Sequence, residues 1–178
     1  KWEKYISYGQ NWSVLSRENR EYILSLPSQL KLCYGGFDFI CAHGVPGNWD
    51  LGITPELALY IGRRLIREHS CDVLIGGHVH RPFKTEIEGA WIVNCGSVGY
   101  SVATPGVANY VLAEVREDES IGFELVNLEY SLDELYRSFS AADLPSLMAE
   151  VISQGRPPSE AERENLKSLC QGGAFSVQ

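Results

Sequence analysis

The chain has 178 residues, 44% of them hydrophobic and 21% charged, a composition that suits one globular domain with a sizeable core. Its 23 acidic and 15 basic residues give a formal net charge of −8, which argues against nucleic acid as a partner because sequence-independent binding needs clustered Lys and Arg. Apolar runs stay well short of the roughly 20 residues that span a bilayer, and five cysteines without C-x-x-C spacing favour a reducing, cytoplasmic location over a disulfide framework.

The first half of the chain predicts short strands around one long helix. Gly35-Gly36, between two apolar runs, is the strongest hairpin signal in the sequence. Thr54-Pro55 is a good helix start, with Thr at the N-cap and Pro at the first helical position. In chain order we expect a helix over 17–26, strands over 29–34 and 37–42, a helix from 54 to about 69, and a strand over 72–75.

The second half predicts antiparallel strand pairs followed by helices. Glu88-Gly89 and the charged segment 116–119 are the expected turns. In chain order we expect strands over 83–88, 91–94, 108–115 and 121–130, and helices over 131–141, 145–153 and 159–169. This order favours a mixed α/β sheet with helices outside it. We expect a domain over 1–130 and a helical extension over 131–178 packed on or beside it.

Three of the four histidines lie in glycine-flanked segments that directly follow predicted strands. His43 follows the strand over 37–42, and His78 and His80 follow the strand over 72–75. Neutral imidazole is the commonest protein ligand for first-row metals, and open α/β sheets place their chemistry at the carboxyl ends of their strands. Residues two apart in an extended segment point the same way, so we expect His78 and His80 to face one site that His43 reaches from the side.

The residues alone leave three interpretations of these histidines open. They could hold one zinc ion with an open coordination position. They could equally be the nitrogen ligands of a two-metal centre whose oxygen ligands come from elsewhere. Ordinary loop or core histidines are the third interpretation, which we favour less for the set than for His43 alone.

Three motifs, in this order, resemble the calcineurin-like metallophosphoesterase superfamily. They are His43-Gly44-Val45-Pro46, then Gly77-His78-Val79-His80 with Pro82 behind it, then Asn94-Cys95-Gly96-Ser97-Val98-Gly99. Cys95 replaces the proline that the family has in the last motif, and the match covers residues 20–130. The resemblance implies a four-layer α/β/β/α sandwich with two divalent metal ions, Mn, Fe, Zn, Co or Ni, at the carboxyl ends of the sheets.

The resemblance also implies roles for the three histidines. His43 and His78 would bind one metal ion and His80 the other. Paired metals bind phosphate oxygens and lower the pKa of a bridging water, which attacks phosphorus in line. The resemblance thus predicts the chemistry of a phosphoester hydrolase.

Two loops are expected beside the metals. Asn94 and Ser97 would shape the glycine-rich loop rather than react. Gly44 and Trp49 belong to the other loop, which runs to Ile53 and would wall the substrate cleft. Trp49 could stack on a base or ring, or it could fill a gap in the fold.

Three further motifs of the family, D-x-H, G-D with a short spacer and glycine, and G-N-H-[DE], are absent from this chain. They would supply the carboxylate ligands and the histidine that protonates the leaving oxygen, so no catalytic residue is assigned within the chain. We expect a part of a longer protein that lacks its N-terminal βαβ portion and is inactive alone. A degenerate homologue that has become a scaffold is the alternative.

The leading functional hypothesis is a metal-dependent phosphoesterase in the parent protein, acting on a phosphate-ester small molecule or a nucleotide. A non-catalytic interaction scaffold on the same fold is the second hypothesis. A mononuclear three-histidine zinc hydrolase or lyase is the third, and it leaves the loop 94–99 unexplained. The helices after Tyr130 could cover the sheet, form a homodimer or gate the cleft.

Overall fold

The structure is a computed structural model that describes residues 12–102 and 104–171. Its main helices are α1 (Arg17–Ser25), α2 (Pro55–His69), α3 (Leu132–Ala141), α4 (Ser146–Ser153) and α5 (Glu160–Gln171). Its strands are β1 (Gln29–Tyr34), β2 (Phe37–Ala42), β3 (Val73–Gly76), β4 (Phe83–Ile87), β5 (Ala90–Asn94), β6 (Val107–Val115) and β7 (Ile121–Glu129). Each predicted helix and strand is confirmed, and its ends lie within about two residues of the expected ones.

The described residues form two compact units. The sheet unit comprises residues 27–130 and 154–156, and the helical unit comprises the residues up to 26, residues 131–153 and the residues from 157 onward. The predicted helical extension after residue 130 therefore falls largely in the helical unit. Helix α1 belongs to that unit as well, although the sequence analysis had assigned it to the domain over 1–130.

Five strands form the larger sheet of the sheet unit, in the order β1-β2-β3-β5-β4. Strands β2, β3 and β5 run parallel, whereas β1 and β4 pair antiparallel at the two outer positions. The two-residue turns Gly35-Gly36 and Glu88-Gly89 close the outer hairpins at the amino ends of β2 and β5. The carboxyl ends of the three parallel strands consequently meet at the opposite edge, where the three motifs lie.

Helix α2 covers one face of this sheet. The residues that form the centre of this contact are at most 2% exposed: Ile40, Ala58, Leu65, Leu74 and Ile92. Gly62 allows the close approach, because a Cβ at this position would lie 2.5 Å from Ile87 Cδ1 and 2.6 Å from Ile92 Cδ1. The helix and the sheet together bury the main apolar core of the unit.

The β6–β7 hairpin forms a second, two-stranded sheet against the other face. Phe123 of β7 packs with Phe39, Val73 and Val93 of the larger sheet, and Lys84 Nζ donates to the Phe123 carbonyl at 2.5 Å. The unit therefore has three layers, a helix and two sheets. The outer helical layer of the expected four-layer sandwich is not formed by the described residues of this unit.

Serine side chains cap two helices of the helical unit. Ser16 Oγ accepts the Asn19 N–H at the start of α1, and Ser131 Oγ accepts the Glu134 N–H at the start of α3. The Tyr136 and Ser153 hydroxyls, 3.0 Å apart, link α3 to the end of α4. In the part of the chain that the structure describes, no helix is both long and apolar enough to cross a bilayer.

Candidate metal centre

Two of the predicted ligands meet at the carboxyl ends of β2 and β3. His43 directly follows β2, and His78 lies two residues after the end of β3. His78 Nδ1 and His43 Nε2 are 3.1 Å apart, and the two rings meet edge to face with centroids 5.0 Å apart. The Gly77 N–H donates to the His43 carbonyl at 2.9 Å. Parallel pairing of the two strands thus brings these imidazoles together.

The separation of these nitrogens fits two ligands of one metal ion. Two nitrogens about 2.0–2.1 Å from a tetrahedral zinc lie about 3.4 Å apart, so a few tenths of an ångström of ring movement would suffice. Within residues 12–102 and 104–171, however, no group of three or more His, Cys, Asp or Glu side chains is close enough to hold a metal ion. The chain therefore presents a pair of nitrogen donors that needs further ligands.

The backbone at His78 and His80 is left-handed, so the expectation of an extended segment over both histidines is wrong. The backbone φ is +65° at His78 and +57° at His80, and the Val79 N–H donates to the Gly77 carbonyl at 2.7 Å. Each histidine therefore lies in a tight turn. The His80 ring contacts the edge of Tyr100, with centroids 5.5 Å apart. The three histidines do not form one three-ligand group among the described residues, although assignment to two neighbouring metals stays a prediction.

Asn94 connects the glycine-rich loop to the backbone in front of His78. Its side chain is 1% exposed; Nδ2 donates to the Gly77 carbonyl at 2.6 Å and Oδ1 accepts the Gly96 N–H at 2.9 Å. Ser97 Oγ accepts the Tyr100 N–H at 3.0 Å. Both predicted loop residues thus bond to backbone groups around the histidines rather than presenting a reactive atom.

Cys95 holds the turn that a proline holds in the family motif. The Cys95 N–H donates to the Gly76 carbonyl at 2.9 Å, which extends the pairing of β5 with β3 by one bond. A proline has no N–H and could not make this bond. The substitution therefore replaces the rigidity of a proline ring by an additional sheet hydrogen bond.

A buried asparagine beneath this loop, Asn109, was missed by the sequence analysis. Asn109 is 2% exposed; its N–H donates to the Ser97 carbonyl at 2.9 Å, and its Nδ2 donates to Asn127 Oδ1 at 2.8 Å. Gly96, with φ of +73°, lets the loop rest directly on this side chain. The available signal was one polar residue, Asn109, between the apolar positions Val107 and Val111 on the same face of β6.

The loop over 44–53 is folded back on itself and against His78. The Val45 N–H donates to the Leu51 carbonyl at 2.8 Å. A Cβ at Gly44 would lie 2.5 Å from the Leu51 carbonyl oxygen, and a Cβ at Gly52 would lie 2.6 Å from His78 Cδ2. Gly52, which the sequence analysis did not single out, therefore lets the backbone touch the imidazole ring.

Trp49 lies between these two glycines and faces solvent. It is 64% exposed, whereas Pro46 and Ile53 of the same loop are buried. Trp49 therefore fills no gap among the described residues, and its stacking on a base or ring stays a prediction. Its ring is available for contact at the edge of the sheet that carries the histidines.

The two cysteines closest to this edge are poor nucleophiles. Burial raises the pKa of the Cys41 thiol, and burial together with the nearby Cys41 raises the pKa of the Cys95 thiol. Both side chains are therefore neutral thiols near pH 7, whereas the thiolate is the reactive form. Neither adds a covalent step to the chemistry of this edge.

The family model for the calcineurin-like phosphoesterase superfamily domain matches residues 8–118, which are 111 of the 178 positions. The chain belongs to the calcineurin-like phosphoesterase superfamily. The matched span includes His43, His78, His80 and the loop 94–99, so the resemblance drawn from the motifs is confirmed. Members of this superfamily generally bind divalent metals.

Two solved structures share the fold of this calcineurin-like phosphoesterase domain. A hypothetical protein of Pyrococcus horikoshii aligns with a TM-score of 0.71 at 21% identity, over 83% of this chain and 58% of that chain. A metallophosphoesterase of Sphaerobacter thermophilus aligns with a TM-score of 0.64 at 20% identity, over 79% of this chain and 62% of that chain. The chain thus spans about three-fifths of these proteins. No protein of curated function matches it.

Proposed function

We propose that the intact protein is a metal-dependent phosphoesterase and that this chain supplies the histidine half of its site. The observation that carries the proposal is the His43–His78 pair, 3.1 Å apart at the ends of two parallel strands, in a chain of this superfamily. His80 would contribute to the second metal. The substrate would be a phosphate-ester small molecule or a nucleotide.

In this proposal the residues of the chain bind metal and hold the ligands in place. A pair of divalent ions, when bound, neutralises phosphate oxygens and lowers the pKa of a bridging water. Asn94 fixes the Gly77 carbonyl and thereby the turn that carries His78, while Tyr100 packs against the His80 ring. Such supporting contacts orient metal ligands and tune their affinity.

Turnover of an artificial diester tests the proposal. We expect the intact protein to hydrolyse bis(p-nitrophenyl) phosphate when manganese is added, and His78→Ala to lower the rate by about 100-fold or more, because losing a direct ligand exceeds the loss from an outer partner. His69→Ala is the matched control, since His69 lies at the end of α2 and should leave turnover unchanged. Undiminished turnover in His78→Ala would refute the role of this residue.

A non-catalytic scaffold is the second candidate, favoured by the lack of a three-donor metal group among the residues that the structure describes. Metal analysis of the purified intact protein separates the candidates. Two transition-metal ions per chain would support the phosphoesterase, and little or no bound metal would support the scaffold. A single zinc ion would instead favour mononuclear chemistry.

A further inference from the structure

The loop over 44–53 carries an exposed tryptophan, Trp49, close to the histidine pair. Its backbone is closed by the hydrogen bond from the Val45 N–H to the Leu51 carbonyl, and at Gly52 it touches the His78 ring. Trp49 nevertheless keeps 64% of its surface exposed. A tryptophan brings the largest apolar surface of any side chain, and leaving it in water contributes little to folding. A loop that is closed by these contacts and presents this ring beside His78 is suited to ligand contact.

The strand order places the histidine turn between two exposed apolar side chains. Because β3 lies between β2 and β5, the turn with His78 is flanked by the loop after β2 and the loop after β5. Trp49 is exposed in the first loop, and Val98 is 74% exposed in the second. A polar centre with apolar flanks complements a ligand that has a phosphate group and, a few bonds away, an apolar group.

The indole ring of Trp49 and the net charge of the chain indicate which class of ligand this surface would bind. An indole face binds planar π systems by stacking, which an alkyl group cannot match. The formal net charge of −8 disfavours a long polyanion such as a nucleic acid strand. We infer that Trp49 stacks on the base of a nucleoside phosphate whose phosphate group lies at the histidine site, an inference that rests on the phosphoesterase function proposed above.

Binding of two matched ligands tests the inference. Adenosine 5′-monophosphate and ribose 5-phosphate share the sugar and the phosphate and differ only in the base. With manganese present, titration calorimetry on the intact protein should give tighter binding of the nucleotide by roughly 5- to 150-fold, the ratio that one stacked base provides. Trp49→Ala should remove this preference and leave the affinity for ribose 5-phosphate unchanged.

Two further variants control the experiment. Trp49→Phe retains an aromatic face and should keep part of the preference. Tyr60→Ala removes another exposed aromatic ring, 87% exposed on α2, and should change neither affinity. If Trp49→Ala lowered both affinities because the loop had collapsed, Trp49→Phe would decide: a retained preference supports stacking, and a lost preference overturns it.

The remaining outcomes separate the two proposals. Equal binding of both ligands by the wild-type protein, or a preference that survives in Trp49→Ala, would overturn the stacking role and leave the phosphoesterase function standing. Binding of neither ligand in the presence of manganese would count against the phosphoesterase function itself.

Discussion

The two edges of the five-stranded sheet are built by different means. At the amino-end edge, the turns Gly35-Gly36 and Glu88-Gly89 have positive φ at all four positions, as two-residue hairpins with a right-handed strand twist require. At the carboxyl-end edge, positive φ occurs at His78 and His80, where no hairpin demands it. The left-handed conformation costs a residue with a side chain about 1–2 kcal/mol.

The two edges also differ in the contacts that hold them: those at the amino-end edge are local in sequence, and those at the carboxyl-end edge join distant segments. The amino-end turns are closed by the pairing of adjacent strands, between residues near in sequence. The histidine turn is instead held by side chains and glycines from distant segments, among them Asn94 and Gly52. Strained backbone that the surroundings fix is common at functional sites. Pairs of variants, one at each edge, can break or sharpen this comparison.

The largest difference in stability between the two edges is expected for variants of side chains that hydrogen-bond to the backbone. Asn94→Ala leaves the Gly77 carbonyl and the Gly96 N–H without their partner, and we expect the free energy of unfolding to fall by about 3 kcal/mol. At the amino-end edge, Asp72 Oδ2 accepts the Asp38 N–H at 2.8 Å, but water reaches this exposed pair. Asp72→Ala should therefore cost only about 1 kcal/mol. Urea denaturation measures both, and equal losses would contradict the comparison.

Glycine substitutions should separate a steric effect from a conformational one. Gly52→Ala places a Cβ against the His78 ring, and we expect a loss of about 1–3 kcal/mol and a metal affinity lowered by roughly 10-fold. Gly36 has φ of +83° but no atom within 4 Å of an added Cβ. Gly36→Ala should cost about 1 kcal/mol and leave zinc affinity unchanged. Zinc binding by Gly52→Ala at wild-type affinity would rule out its role in placing His78.

The smallest expected change in stability comes from the left-handed backbone at His80 and Glu88. His80→Gly should be more stable than His80→Ala by about 1 kcal/mol, since glycine adopts this conformation without steric cost. Glu88→Gly should likewise be more stable than Glu88→Ala by about 1 kcal/mol. Both variants lose the ion pairs of Glu88 with Arg63 and Arg67, so this loss cancels in the comparison. Thermal unfolding compares the four variants. Higher stability of His80→Ala would contradict the left-handed turn at the site.

The sequence predicts the elements and the amino-end edge because their signals are local. Gly35-Gly36 specifies its hairpin, and Thr54 caps α2 by accepting the Leu57 N–H at 3.1 Å. The assignment of His43 and His78 to one metal came from the family resemblance, and the parallel pairing of β2 with β3 explains why the two rings lie close together. These features need little information beyond neighbouring residues and strand direction.

The finer geometry of the site could not be predicted because it depends on contacts between distant segments. The left-handed backbone at His78 and His80 falls on two residues that are not glycine, so no local sequence signal predicts it. The contact of Gly52 with His78 and the bond between Asn109 and Asn127 become visible only once loops and sheets are packed. A side chain and a backbone group far apart in the chain leave no periodic signal.

The N–H of Cys95 allows amide hydrogen exchange to be measured at this edge, which relatives with proline at this position of the motif do not allow. An amide proton that is bonded to the Gly76 carbonyl exchanges with deuterated water only when that bond opens. Exchange at Cys95 compared with exchange at Val93, inside the same strand, reports local opening of the glycine-rich loop separately from global unfolding. The residue that departs from the family pattern is thus a natural probe of how firmly the fold holds its histidines.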